Sequence, residues 1–128
     1  PWTDLTGNGR SIKINSKSDP YLSYNDWLNT ARSMKRTVEE WYAPNQNYKS
    51  PLISPVFAKY SNFPETLIQV SDIEILYSDS VDLFTRMKEG KNKVRLSEYK
   101  NLPHVWQIFE FLPESKKAID QISNFLSD

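Results

Sequence analysis

Two short apolar, β-branched runs with an amphipathic stretch between them constrain this chain most. Thr66-Leu67-Ile68-Gln69-Val70 and Lys93-Val94-Arg95-Leu96-Ser97-Glu98-Tyr99 read as strands, and the residues between them carry helical periodicity. The pattern predicts a βαβ unit. Its helix is expected to begin near Asp79, which can cap the first turn with Asp82 three residues on. Arg86 and Lys88 suit its C-terminal end, and Gly90 stops it. Val81, Phe84 and Met87 share one face, with Leu83 beside them, so that face is expected on the sheet. A crossover of this length makes the strands parallel and the connection right-handed. The carboxyl ends of both strands then open onto one edge, where ligands gather in open α/β sheets.

Acidic residues follow the first strand and His104 follows the second. His104 is the only histidine, so any histidine chemistry must use it. A lone histidine is more often structural than catalytic. This one sits in a loop just past a strand, behind Pro103, and a general base needs such a fixed perch with a carboxylate to orient it. Three carboxylates compete for that partnership: Asp72, Glu74 and Asp79. Asp79 is expected to cap the helix. Alternation does not choose between Asp72 and Glu74, and either can be a solvated loop acid instead. One histidine, no cysteine and no carboxylate cluster at ligand spacing argue against a metal, and no cofactor is expected.

Basic and acidic residues balance at 16 each, which argues against a nucleic-acid partner, and no charge block marks a membrane surface. No apolar run has the length of a membrane span, and no signal-peptide pattern is present. The sequence begins with Pro1, so it is expected to be a piece of something longer or a processed product. Four Trp, seven Tyr and six Phe against a hydrophobic total of 38% fit a partial domain or a pocket wall; an ordinary small domain stays open.

Along the chain, Pro1 to Thr6 reads as the end of a strand before a Gly7-Asn8-Gly9 turn, and Arg10 to Ser18 as loop. Ser23 is a plausible N-cap for a helix with Asp26 at its third position. Trp27, Leu28, Ala31, Met34, Val38, Trp41 and Tyr42 recur at helical spacing and are expected to be buried, until Ala43-Pro44-Asn45 ends the helix. Ser50 to Pro55 is expected to run extended between prolines. Val105 to Leu112 reads as partly helical. Pro113 opens a last helix to about Leu126, with Ala118, Ile119, Ile122, Phe125 and Leu126 as its buried face. The expected organisation is one partial domain. Residues 1–49 form a strand end and a helical cap segment; residues 50–128 form the βαβ unit, the histidine loop and the terminal helix.

Five short segments, in order, carry a family resemblance: Pro1-Trp2-Thr3-Asp4-Leu5-Thr6, Asp19-Pro20-Tyr21-Leu22-Ser23, Ser50-Pro51-Leu52-Ile53-Ser54-Pro55, Phe63-Pro64-Glu65-Thr66-Leu67-Ile68-Gln69-Val70 and Pro103-His104-Val105-Trp106. Together they resemble the C-terminal part of an α/β-hydrolase, and more closely the hormone-sensitive-lipase-like esterases, including fungal steryl acetyl hydrolases. The resemblance implies an α/β fold. The family's acid-x-Leu element falls on Glu74-Ile75-Leu76, which favours Glu74 over Asp72, although most members carry aspartate there and a glycine where Val70-Ser71 stands. The family's histidine falls on His104. Trp2 and Trp106 are implied to lie near the substrate, and the helices from about Leu22 to Tyr42 near the acyl or alcohol pocket.

The implied activity is carboxylic ester hydrolysis on a small-molecule or lipid ester, through a Ser-His-acid triad. Chain order in such enzymes is Ser, acid, His. None of Gly7, Gly9 and Gly90 flanks a serine in a G-x-S-x-G elbow, and no His-Gly-Gly-Gly loop occurs, so the serine is expected upstream of Pro1. Resemblance to fungal members implies the endoplasmic reticulum and otherwise the cytoplasm; membrane association of the parent is left open. A second reading takes the chain as a truncated, non-catalytic fragment that packs or binds, of poor stability in isolation because its sheet edge is unpaired.

Overall fold

β1 (Thr66–Ser71) and β2 (Val94–Tyr99) pair in parallel, with Thr66 opposite Val94 and Ser71 opposite Tyr99. In this computed structural model, which describes residues 1–23 and 26–127 and leaves the Trp27 side chain undescribed, four helices surround them: α1 (Arg10–Ile14), α2 (Trp27–Arg36), α3 (Tyr77–Glu89) and α4 (Pro113–Ser127). Alternation along the strands assigns the two faces. Ile68, Val94 and Leu96 pack with Leu83, Phe84 and Met87 of α3 and with Tyr60. On the other face Gln69 donates to the Ala118 carbonyl and to Gln121 of α4. Of the expected α3 face, Phe84 and Met87 with Leu83 meet the sheet, whereas Val81 lines a cavity beside α1, and β1-α3-β2 forms the βαβ unit. Among the described residues, no helix is long and apolar enough to cross a membrane.

Several local expectations change. Residues 1–6 form no strand; their backbone bonds go to side chains and a loop instead. Val56 N–H donates to the Thr3 carbonyl, and Leu5 N–H to Ser54 Oγ. Arg10–Ile14 is helical rather than loop, with Ser11 and Ile12 buried; five residues are too few to display a period. Asp26, not Ser23, caps α2, its carboxylate accepting the Leu28 and Asn29 N–H groups. Ser23 donates instead to the Ser16 carbonyl.

The apolar stripe of α2 is buried only in part: Met34 and Val38 are inside, whereas Leu28, Tyr42 and Trp41 (79% exposed) are not. Trp41 and Tyr42 lie in a π-helical continuation over Thr37–Tyr42, closed by Ala43 N–H on the Val38 carbonyl. One extra residue per turn rotates Trp41 and Tyr42 off the stripe. Ser50 to Pro55 is a pair of turns leading to a 3₁₀ turn at Pro55–Phe57, not extended chain, because Ser54 Oγ bonds back to the Tyr48 carbonyl. On α4 the buried residues are Ser115 and Ala118, with Ile119 and Leu126 in solvent.

α3 begins at Tyr77, and Asp79 does not cap it. Asp79 Oδ2 accepts the N–H groups of Thr3 and Asp4, each at 2.8 Å, and Thr3 Oγ1 donates to the Asp79 carbonyl. Burial pushes this carboxyl up from 3.8 to about 6, against the backbone donors that pull it down. Between those two values the folded chain holds a proton that the unfolded chain has lost. The stability this group contributes is therefore fully present below pH 3.8 and lost as pH rises through 6. Denaturant unfolding from pH 4 to 7 should show that fall, and Asp79→Asn should flatten it; an unchanged slope in the variant would assign the titration elsewhere.

Candidate active site

The carboxyl ends of β1 and β2 are tied together before any functional group is placed. Ser71 Oγ accepts the Leu102 N–H at 3.0 Å, Asp72 N–H donates to the Tyr99 carbonyl, and Asp72 Oδ1 accepts the Asn101 N–H at 2.8 Å. Asp72 is thus spent on fixing one loop to the other and does not meet the histidine.

Glu74 does. Its Oε2 lies 2.5 Å from His104 Nδ1, and its Oε1 accepts the Ser71 N–H at 2.7 Å. Glu74 is 3% exposed, whereas the His104 side chain is 27% exposed. A buried carboxylate on Nδ1 fixes that nitrogen as the protonated one and leaves Nε2 as the acceptor. It also stabilises the imidazolium that forms when Nε2 takes a proton. The pairing is built by sequence neighbours that are easily overlooked. Val105 is held at φ 54°, a left-handed conformation that costs a β-branched residue about 1–3 kcal/mol. That turn directs Trp106 inward immediately after His104 projects outward.

Trp106 is 1% exposed and packs with Leu102, Ala118 and Tyr99, and Ser115 Oγ donates to its carbonyl. It packs beneath the histidine loop and is not among the residues that line the cavity beside His104. Trp2 does face a cavity of about 550 Å³, together with Tyr21, Leu22, Met34, Leu76 and His104. The wall is mainly apolar and aromatic, with hydroxyl side chains at Ser23, Ser33 and Thr37, and among the described residues the imidazole is the one basic side chain in it. Such a site can accept a proton from a nucleophile held beside an apolar substrate. Among the described residues no group of three His, Asp or Glu side chains is arranged to hold a metal ion.

Residues 1–108 match an α/β hydrolase fold family. The chain belongs to that family. Among the proteins it resembles are some named as esterases. An esterase of Acinetobacter venetianus is 28% identical over 126 residues, covering 98% of this chain and 39% of that protein. An esterase of the bacterial hormone-sensitive lipase family is 36% identical with a TM-score of 0.85, covering 98% of this chain and 40% of its own. A hormone-sensitive-lipase homologue from a metagenome library, EstE7, is 31% identical with a TM-score of 0.86, covering 99% and 41%. The chain thus spans about two fifths of the length of these relatives, as a portion of a larger α/β-hydrolase fold of the hormone-sensitive-lipase-like type.

Proposed function

We propose that Glu74 and His104 are the acid and base of a Ser-His-acid triad in a carboxylic ester hydrolase acting on small-molecule or lipid esters. The observation that carries this reading is the 2.5 Å contact between His104 Nδ1 and the buried Glu74 carboxylate, beside an apolar cavity. The sequence holds no G-x-S-x-G elbow, so the nucleophile is assigned to residues outside these 128.

The nucleophilic serine gives its proton to His104 Nε2 as its oxygen bonds to the ester carbonyl carbon. The tetrahedral intermediate collapses with cleavage of the C–O bond, and His104 returns the proton to the departing alcohol. Water then loses a proton to His104 and attacks the acyl-enzyme. Collapse returns the proton to serine and releases the acid. Glu74 stays ionised throughout and holds the ring by Nδ1.

Comparing Glu74→Gln with Asp72→Asn in the full-length protein tests the assignment of the acid. Glu74→Gln should lower kcat on a short acyl ester by about 10⁴-fold, because the amide no longer fixes the tautomer or stabilises the imidazolium. Asp72→Asn keeps an acceptor for Asn101 N–H and should stay within about tenfold of the parent. The reverse ranking would transfer the role to Asp72.

The lack of an elbow serine also favours a second reading for the 128 residues alone, as a portion that packs or binds without turnover. The purified segment should then hydrolyse esters no faster than free imidazole; faster turnover would contradict it.

A further inference from the structure

Besides its ties to the loop after β2, the loop that carries the acid is held by several side chains from one upstream segment. Asn15 Nδ2 donates to the carbonyls of both Asp72 and Glu74, each at 2.8 Å. Ser18 Oγ donates to the Ile73 carbonyl and Ser11 Oγ to the Ile75 carbonyl. The Ile75 N–H, immediately after the acid, donates to Asp19 Oδ2 at 2.9 Å. Four carbonyls and one N–H across residues 72–75 are thus fixed from residues 11–19.

Asp19 does more than close a turn. It is 2% exposed, and its other oxygen accepts the N–H groups of Tyr21 and Leu22 at 3.0 and 2.9 Å. Those two residues are wall of the cavity beside His104. A carboxylate taken out of water is costly unless its lone pairs are met, and here each oxygen is met by a different element. The same group therefore sets the spacing between the acid loop and the wall. Among the described residues, the hydrogen bonds of the Asn15 and Asp19 side chains go to the acid loop and the Tyr21–Leu22 backbone, not to His104.

We propose that Asn15 and Asp19 are positioning residues. Asn15 holds Glu74 at bonding distance from His104, and Asp19 locks that loop to the Tyr21–Leu22 wall. This rests on the reading of Glu74 and His104 as acid and base. A misplacement of about 1 Å in such a constellation costs about 10²-fold in rate, so the backbone bonds on either side of the acid have leverage on turnover that their exposure does not suggest.

The test is a double-mutant cycle in the full-length protein, with kcat and KM measured on a chromogenic short-acyl aryl ester and folding checked by thermal unfolding. Asn15→Ala should lower kcat about 10- to 100-fold with KM within about threefold. Asp19→Asn, an isosteric variant less liable to misfold, should behave alike. Two donors on one side orient its carbonyl oxygen toward Tyr21 and Leu22, which sets its amide N–H₂ against the Ile75 N–H. Asp19→Ala loses both sets of bonds and should also raise KM.

In a Glu74→Gln background, Asn15→Ala and Asp19→Asn should each change the residual kcat by less than about threefold, because the group they act through is gone. Their full effect persisting in that background, or unchanged kcat in the folded single variants, overturns this inference alone. Wild-type turnover by Glu74→Gln itself overturns the triad reading and this inference together.

Discussion

His104→Ala in the full-length protein is expected to lose about 10⁶-fold in kcat on a short acyl ester, with KM little changed. The size follows from what is removed. His104 is the sole imidazole in these 128 residues, and the cavity it borders is otherwise lined by apolar, aromatic and hydroxyl side chains. Among the described residues, no other side chain in that wall can serve as a general base in its place. The remaining rate reflects binding and the electrostatics of the rest of the site, which the substitution leaves alone. Folding should survive. The ring is partly exposed, and Glu74 keeps the Ser71 N–H as a donor when its partner is lost, so the cost in stability should be about 1–2 kcal/mol. Added imidazole should restore part of the rate, since the vacated space adjoins the Glu74 carboxylate. Turnover within tenfold of the parent would remove His104 from the chemistry altogether.

The contrast between that pair and Trp106 shows what a sequence does and does not reveal. β1, α3 and β2 were legible because periods of two and 3.6 are written directly into Thr66–Ser71, Val81–Met87 and Val94–Tyr99. The strand ends then brought Glu74, Asp72 and His104 to one rim. Pattern could go no further: past the last strand residue alternation ceases, and Asp72 and Glu74 differ only by whether a carboxylate reaches Asn101 N–H or His104 Nδ1.

The burial of Trp106 is hidden from the sequence for a related reason. Its burial depends on the left-handed backbone at Val105, and valine is among the last residues from which that conformation would be guessed. Asp79 reads as a helix cap because Asp82 stands three residues on, yet its donors come from Thr3 and Asp4 at the far end of the chain. The clamp by Asn15 and Asp19 was invisible for the same cause, since side chain-to-backbone bonds across more than 50 residues leave no local period. In α2 the error is a single extra residue in one turn, which is enough to turn Trp41 outward.

The largest expected effect on stability comes from a residue far from the chemistry. Gly90→Ala should destabilise the protein by about 3 kcal/mol or more. A Cβ at Gly90 would lie 1.8 Å from the Tyr60 carbonyl oxygen and 2.8 Å from Asn92 Nδ2. The obstacle is backbone and cannot swing aside as a side-chain tip would. Asn92 Nδ2 donates to both the Tyr60 and Met87 carbonyls, and its Oδ1 accepts the Phe63 N–H, so displacing Tyr60 breaks the bonds that tie the end of α3 to the segment entering β1.

Conformation is not the issue at this position. Gly90 has φ −75°, which any residue adopts, so the cost is purely the close approach. Gly7 provides the opposite case, at φ +74° with no atom within 4 Å of its would-be Cβ. There Gly7→Ala should cost about 1–2 kcal/mol, from backbone strain alone. Denaturant unfolding of both variants separates the two mechanisms. If Gly90→Ala cost no more than Gly7→Ala, the Tyr60 segment would have to yield freely. The packing of Tyr60 on Ile68, Met87 and Val94 argues that it does not, because moving it opens the core on which the parallel pair, and with it the spacing of Glu74 and His104, is built.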